Sequence, residues 1–249
     1  MTTRSSPLHC KQATASLGVP GAGAGGEQGW YGKVLASVAQ GQQLHGYATR
    51  LGLADTMNHP FQPLVAAKPK QRPAKLEGLT LRVIGPSLKE IEGLRKAWKA
   101  KRDESITVAY ADRSPYNLSS ITVMAEYGGK RMLLTGDARG DHILAGLKSA
   151  GLLSDDRIHV DLLKLPHHGS QNNATAEFFE QVTADVYVVS GDNVKFPNPH
   201  KKAMQWLADA RAGEDFAIYC TYDLPHMTSL FGSKLVVPSA GASFVQAIL

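Results

Sequence analysis

Three polar clusters with side chains able to bind a metal follow apolar segments in the second half of the sequence. Asp137 ends the string LLTGD, His167 and His168 stand together in LKLPHHGS, and His200 ends FPNPH. Carboxylate and neutral imidazole groups are ligands for divalent ions such as Zn²⁺ or Mn²⁺. One carboxylate and two or three histidines, delivered from separate strand ends, predict a metal site that activates water for hydrolysis.

Each cluster also has an ordinary structural interpretation. Gly136-Asp137 is typical of a simple turn, and His200 would equally serve as a helix cap or a ligand at the sheet edge. In an extended segment the rings of His167 and His168 point in opposite directions, so one would ligate while the other orients or binds substrate. The residues leave open which histidine is the ligand, and either would also serve as a structural histidine.

The spacing of apolar residues predicts alternating strands and helices. A helix starts at the capping box of Ser87 and Glu90, and Gly128-Gly129 joins two strands in a hairpin. This alternation predicts a layered α/β or α+β fold with a mixed sheet and helices on its outer faces. The predicted strands are 79–84, 119–126, 130–134, 160–165, 186–190 and 216–221, and the predicted helices are 87–101, 141–150, 174–182 and 200–210.

The first 29 residues are predicted to be a flexible leader because they contain the glycine-rich run GVPGAGAGG. Residues 30–249 are then predicted to form one domain, and the family resemblance described below matches best over its core at 118–222. Cys10 and Cys220 are far apart and belong to no C-x-x-C pair, which predicts a reducing, cytoplasmic setting. The longest apolar runs are too short to span a membrane, so no membrane partner is expected.

The net charge is +5 and the sequence pI about 9.1. Much of the positive charge is concentrated between Lys68 and Arg102, and such a cluster would attract a phosphate-bearing partner such as a nucleic acid. The alternative is a solvated, lysine-rich helix face. The basic residues are Lys68, Lys70, Arg72, Lys75, Arg82, Lys89, Arg95, Lys96, Lys99, Lys101 and Arg102.

Four strings together resemble the later motifs of metallo-β-lactamase-fold hydrolases: NLSSITV from Asn117, LTGDA around Asp137, LKLPHHGS ending at Ser170, and NPH ending at His200. They are most similar to the branch related to the soluble domain of the DNA-uptake competence protein ComEC. The resemblance implies part of an αββα sandwich and one or two zinc ions, with manganese as an alternative. It also implies hydrolysis of an ester, amide or phosphodiester by metal-bound hydroxide.

The resemblance assigns roles to individual residues. Asp137 would be a metal-bridging carboxylate and, with His168, a catalytic residue. The implied metal ligands are Asp137, His167, His168 and His200, and the implied substrate contacts are Asn117, Ser119 and Ser170. The family's H-x-H-x-D-H motif is absent, because His9, His45 and His59 lie in no H-x-H pair. The sequence therefore resembles the C-terminal half of the family, a truncated form with an incomplete metal site.

Three hypotheses follow. The chain is a metal-dependent hydrolase whose remaining ligands come from elsewhere, or a non-catalytic remnant or interaction module that binds no metal, or a DNA-binding or nuclease-like protein. Neither the substrate nor the oligomeric state is specified by the residues.

Overall fold

The computed structural model describes residues 43–53, 55, 58–61, 64–103 and 115–239. The chain divides into two units, Met1–Met57 and Asn58–Leu249. In the first unit, residues 43–50 form helix α1. The predicted leader, residues 1–29, lies outside the described residues. The residues of the candidate site described below belong to the second unit.

The described residues of the second unit form a mixed sheet of eight strands in sequential order, β1 to β8. Strands β1 to β4 pair antiparallel, whereas β4 to β8 pair parallel. The strands are β1 (Ala74–Leu76), β2 (Leu79–Gly85), β3 (Thr122–Tyr127), β4 (Lys130–Leu134), β5 (Ile158–Lys164), β6 (Val182–Val189), β7 (Ala217–Cys220) and β8 (Leu235–Val236). The predicted layered fold with a mixed sheet is confirmed.

Six helices accompany the sheet within the described residues of this unit. They are α2 (Leu88–Asp103), α3 (Pro115–Leu118), α4 (Gly140–Ser149), α5 (Ala176–Gln181), α6 (Lys201–Ala210) and α7 (Pro225–Phe231). Two short 3-10 turns, Pro166–Gly169 and Gly232–Lys234, complete the regular structure. Among the helices in the described part of the chain, none has the length and apolar character needed to cross a membrane.

One face of the parallel strands forms the main core. Leu133, Leu163, Tyr187 and Ile218 occupy paired positions on β4 to β7, and all four are fully buried. They join one cluster with the buried side chains of α4 to α7. Parallel strands in sequential order with right-handed connections place every connecting helix on the same face. Burying large apolar side chains of this kind contributes roughly 1.5–3 kcal/mol each.

The sequence correctly predicted several local features. The Ser87–Glu90 capping box forms, with the Ser87 amide donating to Glu90 Oε2 at 2.6 Å, and the Gly128-Gly129 hairpin joins β3 to β4. Strand β6 begins at Val182, four residues before the predicted start, because Val182 and Thr183 pair with Ile158 and His159 of β5. Pairing with β5 therefore extends β6 beyond the start that the apolar pattern predicted.

The topology brings the ends of β4, β5 and β6 to one edge of the sheet. These three parallel strands run side by side, so the residues that follow Leu134, Lys164 and Val189 emerge next to one another. In open α/β sheets, ligands bind at this carboxyl edge. The residues predicted to carry chemistry follow these strands.

Candidate functional site at the carboxyl ends of β4, β5 and β6

Asp137 lies on a tight turn directly after β4. Gly136 has a φ of +54°, and a side chain there would come within 3.2 Å of the Ile121 carbonyl oxygen. The Gly136 carbonyl in turn accepts from the His167 amide at 3.0 Å. The absence of a side chain at Gly136 thus permits the close approach of the backbone at Ile121. The Asp137 amide donates to Ser120 Oγ at 3.2 Å, which holds the turn against the start of β3.

The two histidines do not lie in an extended segment, so the prediction of opposed rings in such a segment was wrong in its backbone conformation. His167 and His168 have φ values of +45° and +56°, and Gly169 follows at +74°. Non-glycine residues in this left-handed region cost about 1–3 kcal/mol each and persist where surrounding contacts enforce them. Here the amide of Ser170 donates to the His167 carbonyl, and the amide of His200 donates to the Gly169 carbonyl.

His168 is the histidine that faces Asp137. Its Nε2 lies 3.9 Å from Asp137 Oδ1, longer than a hydrogen bond. Two ligand atoms bound to one tetrahedral zinc ion at about 2.0–2.2 Å stand roughly 3.3–3.6 Å apart, so this pair would share a cation after closing by a few tenths of an ångström. The side chains are 46% and 41% exposed, which leaves them open to a ligand.

Ser190, the first residue after β6, orients the His168 ring. Its Oγ lies 2.8 Å from His168 Nδ1, on the opposite side of the ring from Asp137. Burial lowers the pKa of His168, and the positive charge of Lys164 lowers it further, although Asp137 and the backbone of Ser190 oppose these effects. A lowered pKa keeps the imidazole neutral at physiological pH, the form that binds metals.

His167 is turned toward a different partner. Its Nδ1 lies 3.0 Å from Oδ1 of Asn173, a residue that is 1% exposed. The Asn173 Nδ2 donates to the Asp137 carbonyl at 3.1 Å. Asn173 therefore connects the histidine turn to the aspartate turn, and these contacts assign His167 a place in the scaffold of the site.

His200 caps helix α6. Its Nδ1 accepts a hydrogen bond from the Lys202 amide at 3.2 Å. The contacts show the cap through Nδ1, and a metal-ligand role for His200 stays a prediction. Within the described ranges, no group of three or more histidine, cysteine, aspartate or glutamate side chains could hold a metal ion. Of the predicted ligands, the described residues bring Asp137 and His168 to within 3.9 Å of each other.

The residues expected to contact substrate have different surroundings. Ser170 is 6% exposed, and its Oγ accepts from the Asn172 amide at 3.2 Å. Asn117 lies in α3 and Ser119 follows it, and both are partly buried. It is the neighbouring Ser120 that contacts Asp137. A substrate role for Asn117, Ser119 and Ser170 stays a prediction.

A cleft of about 910 Å³ opens beside the two histidines. His167, His168, Ser190 and Asn198 line one part of it. Phe196 and Tyr222 also line it, and both are more than half exposed. A group entering this cleft would meet the histidine turn and the Ser190 end of β6.

Sequence reasoning missed Ser190 and Asn173. Ser190 directly follows an apolar strand, and Asp137 and the two histidines lie only a few residues after theirs. A search for polar residues at strand ends would therefore have found Ser190. Asn173 lies in the loop before α5 and carries no local signal. Its role depends on two turns that are distant from it in the sequence.

The basic side chains that the structure describes between Lys68 and Lys96 are solvent-exposed, except Arg82. Arg82 is half-buried, and its Nε is buried without a hydrogen-bond partner among the described residues. An exposed set of like charges is compatible both with a phosphate-bearing partner and with a solvated surface.

No protein-family model matches this sequence. A segment of 97 residues is 31% identical to the ComE operon protein 3 of Bacillus subtilis (strain 168). The similarity covers 39% of this chain and 12% of that protein. The chain is therefore similar to a small part of a much longer protein, in keeping with the resemblance seen in its motifs.

Proposed function

We propose that the carboxyl edge of the sheet is the centre of a metal-dependent hydrolase, with Asp137 and His168 as two ligands of a divalent cation, Zn²⁺ or Mn²⁺. The observation that carries the proposal is the 3.9 Å separation between Asp137 Oδ1 and His168 Nε2, two atoms delivered by different strands. The further ligands come from outside the described residues or from bound water. The metallo-β-lactamase resemblance supports the same assignment.

The surrounding residues have defined tasks in this proposal. Ser190 orients the His168 ring so that Nε2 faces Asp137, and metal-binding histidines are commonly held through their second nitrogen. Asn173 keeps the two turns together. When bound, a divalent ion supplies acidification of water and polarisation of the carbonyl or phosphoryl oxygen under attack. The cleft beside His168 would admit the substrate.

Metal content of the purified protein, measured by mass spectrometry after zinc or manganese reconstitution, tests the proposal. We expect a stoichiometric ion in the wild type and its loss in Asp137→Ala and His168→Ala. Matched controls are Asp185→Ala and His159→Ala, a second aspartate and histidine in contact on β5 and β6, which we expect to retain the ion. A wild-type protein that binds neither metal after reconstitution would overturn the proposal.

A non-catalytic remnant is the second candidate. It is favoured by the lack of a three-residue metal cluster within the described part of the chain. A remnant would show the same melting temperature with and without zinc, because a ligand stabilises only the state that binds it. A rise in melting temperature that depends on zinc concentration and disappears in His168→Ala would exclude it.

A nucleic-acid-binding role is favoured by the exposed basic residues between Lys68 and Lys96. It predicts affinity for duplex or single-stranded DNA that falls steeply with salt, because counterions are released on binding. Replacing Lys68, Lys70 and Lys75 together with glutamine would then weaken binding. Unchanged mobility of the wild type with DNA at low salt would count against this role.

A further inference from the structure

Lys164 is a half-buried cation beside the site. It is the last residue of β5, and its Nζ donates to the Leu165 carbonyl at 2.8 Å. A lysine ammonium has three donors, and this bond uses one of them. Among the described residues, Lys164 belongs to no ion pair.

The charge of Lys164 acts on both members of the Asp137–His168 pair. Its proximity lowers the pKa of His168. Burial lowers the pKa of Lys164 itself, and the Asp137 carboxylate partly opposes that shift. A partly desolvated ammonium without a carboxylate in contact is costly to keep in a folded protein. An anionic substrate would supply the counter-ion that the Lys164 ammonium lacks.

Lys130, in strand β4 of the same sheet, is a lysine that does have a carboxylate partner. Its Nζ lies 2.9 Å from Asp161 Oδ1, and its side chain is half exposed. Lys130 therefore has both water and a counter-ion, whereas Lys164 has little of either. Lys130 thus forms an ordinary surface ion pair, whereas Lys164 is available to bind another anion.

The local charge balance indicates the class of ligand. Asp137 provides one negative charge, Lys164 one positive charge, and the cation of the proposed function would add two more. These three charges would then sum to a net positive charge, while Asp192 and Asp223 line the adjoining cleft. Preorganised cations of this kind stabilise phosphoryl or carboxylate oxygens.

We propose that Lys164 binds an anionic group of the substrate, a phosphoryl or carboxylate group, next to the Asp137–His168 pair. This inference deepens the proposed function by naming the class of substrate for the same site. It requires that Lys164 contact the anion directly through its free donors. A methionine at this position would preserve packing and remove the charge, whereas an arginine would preserve the charge.

The test uses inorganic phosphate as the probe and isothermal titration calorimetry as the readout, with and without one equivalent of zinc. We expect the wild type to bind phosphate and Lys164→Met to bind it at least about tenfold more weakly, because a charge-assisted hydrogen bond is lost. Lys164→Arg should stay close to the wild type, and Lys130→Met should not differ from it. Urea denaturation of each variant checks that it is folded.

Two outcomes would overturn the inference. One is a wild type that binds no phosphate in either form, and the other is a folded Lys164→Met variant that binds phosphate as well as the wild type. Metal content is measured separately. A protein that binds no zinc but binds phosphate through Lys164 would sink the hydrolase proposal and leave the anion site standing.

Discussion

Two histidine–aspartate pairs stand toward opposite ends of the same parallel strands. The carboxyl-end pair is His168 and Asp137, and the amino-end pair is His159 and Asp185. In each, the histidine Nδ1 lies next to a hydroxyl, 2.8 Å from Ser190 Oγ in the first and 2.9 Å from Thr183 Oγ1 in the second. In each, Nε2 faces a carboxylate. The residue types alone do not distinguish the two pairs.

The pairs differ in spacing and in what holds them. His159 Nε2 lies 3.2 Å from Asp185 Oδ1, whereas His168 Nε2 stands 3.9 Å from Asp137 Oδ1, beyond hydrogen-bond distance. The amino-end side chains are 53% and 61% exposed on the strands themselves. The carboxyl-end pair sits on turns tied together by the buried Asn173. The carboxyl-end pair thus differs from the exposed amino-end pair because the hydrogen bonds of Asn173 hold the turns that carry Asp137 and His168.

The largest effect is expected from removing that scaffold. In Asn173→Ala, the Asp137 carbonyl and the His167 ring lose their buried partner, which should lower the free energy of unfolding by about 2–3 kcal/mol. The equivalent change at the amino-end pair, Thr183→Ala, should stay within about 0.5 kcal/mol because the contact is exposed. Urea denaturation measures both. Equal losses would mean that the two pairs are held alike.

A smaller effect is expected from releasing the His168 ring. Ser190→Ala removes the group that orients it, and loss of such an orienting contact typically weakens metal affinity about 10- to 100-fold. Zinc affinity measured by competition with a chromophoric chelator should show this decrease. Thr183→Ala, which frees the His159 ring, serves as the control and should leave zinc affinity unchanged. A Ser190→Ala protein with wild-type affinity would remove Ser190 from the site.

The smallest effect concerns pH in the metal-free protein. Burial lowers the pKa of His168 below its ordinary value of 6.5, so below pH 6.5 the unfolded chain binds more protons than the folded protein. The stability linked to His168 is therefore present above pH 6.5 and is lost as the pH falls from 6.5 through the lowered pKa.

Urea denaturation between pH 7 and pH 5 checks this dependence. His168→Gln should lose less stability on acidification than the wild type, and an NMR titration should place the pKa of His168 below 6.5. His159→Gln provides the comparison at the amino-end pair. A wild-type pKa for His168 at or above 6.5 would contradict the prediction.

The elements of the second half could be predicted because their signals are local. The apolar strand preceding Asp137, the glycine pair at 128–129 and the Ser87–Glu90 capping box each act over a few residues, and all three took the expected form. Strand β1, helix α7 and strand β8 were not predicted. They have three, seven and two residues, which is too few to show a clear periodic pattern.

The sequence by itself determined that Asp137, His167 and His168 follow the ends of apolar strands, because strand patterns and the polar residues after them are local signals. Only the tertiary structure determined which partner each of these side chains contacts. The left-handed turn at His167 and His168 sends one ring to Asn173 and the other toward Asp137, while His200 is taken up by a helix cap. These outcomes depend on hydrogen bonds between segments far apart in the sequence, such as Asn173 to Asp137, and no local pattern encodes such a bond.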